Sequence, residues 1–210
     1  MAVQHLFMDY GGLIADYQFN QQTLERAHTL ASAEFKISIG DLRKAHNKEI
    51  KAYLDHRKKT LEEWSLEYIM GGILCTLNRE DISLNNISTI YRNNDHDEDI
   101  YPQIPELLRR LQPKIQLHII SNLPHNSLKL TLSNAGLLHL FETITLSYQV
   151  GYRKPHPSIY QYALKKAKAE NKYSLFISHD LIDLQGAEGI GLPNLLIFPE
   201  NILNLEEMFL

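Results

Sequence analysis

Two periodicities divide this 210-residue chain. A short apolar run, Val3 to Met8, stops at Asp9-Tyr10-Gly11-Gly12, the pattern of a strand entering a glycine-rich turn. Four helical stretches are predicted next. In the first, Leu24, Ala27, Leu30, Ala31 and Phe35 recur at helical spacing on one apolar face. Ser38-Ile39-Gly40-Asp41 breaks that pattern and opens a second helix, reaching His56. Thr60 and Glu63 have the spacing of a capping box and predict a third helix, carrying Trp64, Leu66 and Tyr68. Ser83 begins a fourth, with Ile87, Ile90 and Tyr91.

The character changes near Asn93. The run from Asn93 to Asp99 is polar and acidic and reads as a solvated connection. A metal site there is the less favoured reading, because adjacent like charges repel without a cation. Beyond it, strands alternate with helices: a helix over Ile104–Leu111 and a strand over Ile115–Ile120 that ends at Ser121-Asn122. A helix follows near Ser127–Asn134, then a short strand at Thr143–Leu146. Pro157 suits the first turn of a helix running to Ala169. A strand at Ser174–Ile177, a helix over Asp183–Gly189 and a strand at Asn194–Phe198 complete the pattern. Such alternation predicts an α/β, Rossmann-like parallel sheet with helices on both faces. Residues 1–15 and 96–210 form that core, and residues 16–95 an inserted α-helical domain.

Composition narrows the function classes. Hydrophobic residues make up 44% of the chain, the net charge is -4 and the pI is near 6.2. A core is therefore well supplied, and nucleic acid is not an expected partner. Cys75 is the sole cysteine and sits in an apolar run, so it is expected to be a small buried hydrophobe. One cysteine fits a reducing compartment, and a cytoplasmic location is the expectation. No secretory leader is visible at the N-terminus. No uncharged apolar run approaches the ~18 residues of a membrane span. Oligomeric state is not encoded in any pattern we can read.

In open parallel sheets, ligands bind beyond the carboxyl ends of the strands. Asp9, Ser121-Asn122 and the Ser178–Asp183 stretch all stand at such ends. Four segments then resemble the haloacid dehalogenase superfamily, in that family's order. Leu6-Phe7-Met8-Asp9-Tyr10-Gly11-Gly12 is similar to its strand followed by Asp-x-Asp-Gly, and His118-Ile119-Ile120-Ser121-Asn122 to its strand ending in Ser or Thr. Gly151-Tyr152-Arg153-Lys154-Pro155-His156-Pro157 is similar to Gly-x-x-Lys-Pro-x-Pro. Ser178-His179-Asp180-Leu181-Ile182-Asp183 stands where the family has two acidic positions four apart. The helical insertion resembles the family's cap.

The resemblance implies a phosphatase-like hydrolase acting on a small phosphorylated metabolite. Asp9 is then the nucleophile that forms an aspartyl-phosphate. Ser121 and Asn122 bind the phosphoryl group, Lys154 offsets charge on nucleophile and phosphate, and Asp183 orients Lys154 or a water. Mg²⁺ is the implied cofactor, held by Asp9, the Gly11 carbonyl and position 179.

Two positions depart from the family's pattern. Gly11 replaces the second carboxylate of the first motif, the group that protonates the leaving group, an effect typically worth ~10²–10⁴-fold. His179 replaces a metal-binding Asp, and imidazole suits zinc, nickel or iron better than magnesium. Asp180 is one residue out of register, and His179 could instead serve as a base. Two alternatives stand beside the phosphatase reading: a catalytically impaired binder of a phosphorylated ligand or protein partner, and a metal-independent 2-haloacid dehalogenase. The Ser178-to-Asp183 spacing suits the dehalogenases, but their Asp-x-Tyr-Gly motif would place Met8 at the nucleophile. Arg43 is the nearest match to their substrate-binding arginine. Tyr17, Arg43, Trp64 and Tyr68 are pocket candidates, with packing the favoured role for each.

Overall fold

In the computed structural model, which describes residues 2–209, the strands of the core assemble around the first. The elements run β1 (His5–Met8), β2 (Ala15–Gln18), α1 (Gln21–Phe35), α2 (Ile39–Thr60), α3 (Leu66–Thr76), α4 (Leu84–Asn94), β3 (Asp97–Ile100), α5 (Ile104–Leu111) and β4 (Gln116–Ser121). They continue with α6 (Ser127–Asn134), β5 (Phe141–Leu146), α7 (Ser147–Val150), α8 (Pro157–Ala167), β6 (Ser174–Ser178), α9 (Leu181–Glu188), β7 (Asn194–Leu196) and α10 (Leu205–Phe209). Five strands form one parallel sheet in the order β5-β4-β1-β6-β7. Met8 of β1 lies opposite Ile119 of β4 on one side and Ile177 of β6 on the other. The chain leaves β1 toward β4 and β6 toward β7, so its direction reverses between β1 and β6. That reversal is the switch point at which such sheets bind ligands.

Both faces of the sheet are buried, which explains why its strands read as apolar runs rather than alternating ones. Leu6, Met8, Leu117, Ile119 and Ile177 point to one face and pack with Leu107, Leu108 and Leu111 of α5 and Leu128 and Leu132 of α6. Phe7, Ile120 and Phe176 point to the other, against Ile159, Tyr160 and Ala163 of α8 and Leu184 and Ala187 of α9. A large polar ring also lies in this layer. His118 is buried, stacks on Phe7 with ring centroids 4.5 Å apart, and bonds Thr143 Oγ1 at 2.9 Å. Burial and the neighbouring His5 drive its pKa down to about 4.

The chain divides into two compact units. The α/β unit comprises the residues up to Tyr17, 98–123, and Leu128 onward, and the helical unit comprises 18–97 with 124–127. The helical unit has its own core, in which Leu42, Ile69, Met70, Ile73 and Ile87 gather with the rings of His46 and Tyr91, stacked at 5.6 Å. His46 is buried among these rings and its pKa falls to about 4 through desolvation, with His28 adding to it.

Several local expectations are corrected. Thr60 does not start the third helix. It ends α2, its hydroxyl donating to the His56 carbonyl at 3.1 Å, and Leu61 turns the chain in a left-handed conformation. Ser65 caps α3 instead, accepting from Tyr68 N at 3.1 Å. Cys75 is exposed on α3 rather than buried, because the apolar face of that helix is carried by Ile69, Met70, Ile73 and Leu74. The 93–99 run is not a solvated connection. Asp95 and His96 are buried, and Asp97–Ile100 pairs with Ala15–Gln18 as a two-stranded sheet. Pro199–Asn204 folds as a 3₁₀ segment and Leu205–Phe209 as α10, which place Ile202 and Leu205 in the core. Among the described residues no helix is long and apolar enough to cross a membrane.

Candidate functional site

The carboxyl end of β1 runs straight into Asp9. Its backbone N–H donates to the Ile177 carbonyl at 3.0 Å, so the residue is held in line with β6 beyond the end of the strand. The side chain is nearly buried and fully engaged. Oδ1 accepts from Tyr10 N at 2.8 Å and pairs with Lys154 Nζ at 2.6 Å. Oδ2 accepts from the Ser178 hydroxyl at 3.1 Å, and His179 Nδ1 stands 3.7 Å from it. Lys154 Nζ also pairs with Asp183 Oδ2 at 2.7 Å, so one ammonium bridges two carboxylates.

Lys154 is 3% exposed. Burial alone would drive its proton off, but Asp9 and Asp183 outweigh that and hold its pKa above the usual lysine range. For Asp183 the balance tips the other way: burial raises its pKa despite Lys154, and the charge on Asp9 adds to the rise. Two buried negative groups and one positive group leave this cluster short of positive charge.

The lysine is placed by three devices. The Asn122 side chain clamps its backbone, accepting from Lys154 N at 2.7 Å and donating to Lys154 O at 3.2 Å. Pro155, next in the chain, rests on α9 at Gly186. A Cβ at that glycine would lie 2.5 Å from the Pro155 carbonyl oxygen and 2.7 Å from its Cβ. Finally, Tyr160 of α8 donates its hydroxyl to the Asp183 carbonyl at 2.6 Å, tying the two helices at the carboxylate's own residue.

A second glycine controls the approach of His179. Gly12 has φ +76°, and a Cβ there would meet the imidazole at 2.5 Å. The ring therefore packs directly against the turn that follows Asp9. Its Nδ1 is buried with no hydrogen-bond partner among the described residues, while the side chain as a whole is 36% exposed. A cleft of about 420 Å³ opens over these groups, lined by Asp9, Gly11, Gly12, Asp16, Tyr17, Ser121, Asn122, Lys154, His179, Asp180 and Asp183 among others.

All seven candidate positions thus border one cleft. Asn122 borders the cleft as well, and its amide also clamps the Lys154 backbone. Asp180 does not stand in for the missing carboxylate: Oδ1 caps α9 by accepting from Ile182 N at 2.8 Å. Arg43 donates to Glu25 through Nε and Nη2, and Trp64 packs among Tyr53, His56 and Tyr68. Sequence reading missed the Ser178 bond to Asp9 and the place of Asp16 in the cleft wall. The parallel register of β1 and β6 puts residue 178 one position beyond Ile177, level with Asp9, and only the folded sheet supplies that register.

The donor set around Asp9 does not fit magnesium. That ion wants near-octahedral oxygen ligands. Here position 179 offers an imidazole, both Asp9 oxygens already accept hydrogen bonds, and Asp183 is held by the bridging ammonium.

Comparison with known proteins agrees with this architecture. The family model described as haloacid dehalogenase-like hydrolase matches residues 12–197, and the chain belongs to that family. A stretch of 92 residues is 30% identical to (S)-2-haloacid dehalogenase 2 of Pseudomonas sp. strain CBS-3, covering 43% of this chain and 40% of that protein. A longer stretch of 159 residues is 27% identical to pyrophosphatase PpaX of Oceanobacillus iheyensis, covering 67% of this chain and 73% of that protein. Among solved structures, a HAD family enzyme from Bacteroides thetaiotaomicron superposes with TM-score 0.68 at 19% identity, over 98% of this chain and 99% of its own. A 2-haloacid dehalogenase from Pseudomonas syringae pv. Tomato gives 0.66 at 16%, over 98% and 97%. Identities this low speak for the fold alone. The protein is a haloacid dehalogenase-like hydrolase.

Proposed function

We propose that the chain hydrolyses a small phosphate ester or acyl phosphate through an aspartyl-phosphate on Asp9. One observation carries the reading: the Asp9 carboxylate is fixed at the switch point of the sheet with the Lys154 ammonium 2.6 Å away, facing a polar cleft. In the first step an Asp9 oxygen bonds to phosphorus as the ester oxygen leaves with the bonding pair. Lys154 offsets the repulsion between carboxylate and phosphate, and the Ser121 hydroxyl donates to a phosphoryl oxygen. Asn122 and Asp183 act as positioning residues, through the Lys154 backbone and Nζ respectively. In the second step water attacks phosphorus, phosphate departs and the Asp9 carboxylate is restored. His179, whose imidazole is partly exposed in the cleft wall, takes the water's proton. No residue at position 11 can protonate the leaving group, which favours substrates whose oxygen departs readily, such as acyl and aryl phosphates. The Mg²⁺ expected from the resemblance has no step in this scheme.

A second reading is metal-independent dehalogenation of a 2-haloacid. It is favoured by the poor fit to magnesium and by the Ser178 bond to Asp9. In that case Asp9 displaces halide from carbon, and water hydrolyses the carbon ester. The test is a panel of acyl, aryl and sugar phosphates, with Mg²⁺ and with EDTA, beside a 2-haloacid. Phosphate release that survives EDTA and is abolished by Asp9→Asn is the expected result. Halide release without phosphate release would transfer the assignment to the second reading. Ligand binding without any turnover would make the chain a non-catalytic binder and overturn both.

A further inference from the structure

The 93–99 run carries a group of residues that the hydrolytic site does not use. Asp95 and His96 follow α4, and His125 lies in the 124–127 segment of the same helical unit. All three are buried, at 8%, 8% and 3% exposure. One carboxylate oxygen and one ring nitrogen from each histidine lie within 4.8 Å of one another. The two imidazoles stack, with centroids 5.3 Å apart and planes 26° from parallel.

Such a cluster gathers one carboxylate and two imidazoles out of water, with Asp95 paired to His96 and His125 bonded to Ser127. It is a good choice for a metal. Two imidazoles and one carboxylate are the donor set of borderline divalent transition ions, with a fourth position left for water. The geometry points to a transition-metal site at Asp95, His96 and His125, selective for ions of the Zn²⁺ and Co²⁺ type over Mg²⁺ and Ca²⁺. It is distinct from the cleft at Asp9 and shares no residue with it.

The supporting bonds hold the ligands ready. Arg26 donates to the carbonyls of Asn94 and His96, both at 2.9 Å, and pairs with Asp97. Thr23 donates to the Asp95 carbonyl. The chain is thereby fixed on both sides of the first two ligands. The third is anchored from α3, where Leu66 N donates to the Pro124 carbonyl at 2.9 Å. Asp95 Oδ1 meets His96 Nδ1 at 2.6 Å, which keeps the two side chains adjacent. His125 Nδ1 accepts from Ser127 N over a long 3.3 Å. Metal binding through either ring nitrogen gives up that weak bond, by using the lone pair or by moving the proton. Donors bound at about 2.1 Å sit about 3.4 Å apart in a tetrahedron. An ion therefore draws the farthest donors together by no more than about 1.4 Å and replaces the Asp95–His96 bond, both within the reach of side-chain rotation. Bound, it would tie the end of α4 to the 124–127 segment.

The test uses the full chain, stripped with EDTA and titrated with Co²⁺ and Zn²⁺. One equivalent of Co²⁺ should give the intense visible bands of a four-coordinate site, and Zn²⁺ should displace it and raise the unfolding temperature. Mg²⁺ at millimolar levels should do neither. His96→Gln and His125→Gln should each weaken Co²⁺ binding at least tenfold, while Asp9→Asn and His179→Gln leave it unchanged. Unfolding curves without metal establish that each variant is folded. If one glutamine variant fails to fold, the other, with Asp9→Asn and His179→Gln, still locates the ion. Absence of any Co²⁺ spectrum in the native chain overturns the proposal. So does a spectrum that vanishes with Asp9→Asn or His179→Gln.

Discussion

Gly186 offers a sharp test of how the Asp9 cluster is held. In Gly186→Ala the new methyl would lie 2.5 Å from the Pro155 carbonyl oxygen, 2.7 Å from its Cβ and 2.8 Å from its Cα. Ordinary contact begins near 3.4 Å, so α9 and the Lys154-Pro155 turn must separate by about 0.9 Å. Two of the three clashing atoms are backbone, so no side-chain rotation relieves them. Overpacking of this kind costs about 1–3 kcal/mol. Replacing a helical glycine by alanine returns up to ~1 kcal/mol through helix propensity. The net expectation is a loss of about 1–2 kcal/mol in chemical denaturation. At ~2–4 °C per kcal/mol for a chain of this size, the unfolding temperature should drop by about 2–8 °C. The displacement also stretches a cluster whose ion pairs are 2.6 and 2.7 Å long. A shift approaching 1 Å at reacting groups costs on the order of 10²-fold in rate. Turnover should therefore fall much further than the modest loss of stability suggests, with the fold intact by circular dichroism. A variant as stable and as active as the parent would show that the contact between α9 and the turn does not position Lys154.

Lys154→Met should be costlier, because it leaves Asp9 and Asp183 buried together without their cation, typically a loss of 3–5 kcal/mol near pH 7. Protonating one carboxylate relieves the repulsion, so the stability gap to the parent should narrow between pH 7 and pH 5; a constant gap in denaturant titrations at the two pH values would contradict this. The parent's own stability should fall as pH drops from about 6.5 toward 4. His46 and His118 titrate at about 4 in the fold and at 6.5 as free groups, so below 6.5 the unfolded chain binds protons the native one refuses. Each contributes at most about 3 kcal/mol, and His118→Gln should flatten the decline; an unchanged slope argues against the buried neutral ring. Gly11→Asp is sterically admissible, since the added Cβ would only touch the Tyr17 Cβ at 3.5 Å. It should raise kcat on alkyl phosphates by about 10²-fold while changing little for aryl phosphates, and an equal effect on both would show that leaving-group protonation is not what position 11 lacks.

Much of this protein was readable from sequence because its signals are local. The apolar runs at Leu6–Met8, Leu117–Ile120 and Leu175–Ile177 declare strands buried on both faces, and their polar ends mark the cleft. Ser38 and Ser83 announce the helices they cap. Where two local signals competed, sequence failed: Thr60-x-x-Glu63 imitates a helix start, but α2 continues through Thr60 and Ser65 holds the cap. Partners distant in the chain were invisible altogether. The Ser178 hydroxyl on Asp9 is 169 residues away, and the Asn122 clamp on the Lys154 backbone spans 32. Most telling is the 93–99 run, whose charges look like those of a solvated linker. Arg26, Thr23 and His125 turn its first half into a buried cluster, and pairing with Ala15–Gln18 turns its second half into a strand. Periodicity records which face of an element is buried, so sequence alone determined the elements and the end of the sheet that carries chemistry. Burial of a charge depends on which side chains arrive from elsewhere to compensate it, and only the tertiary structure decided that.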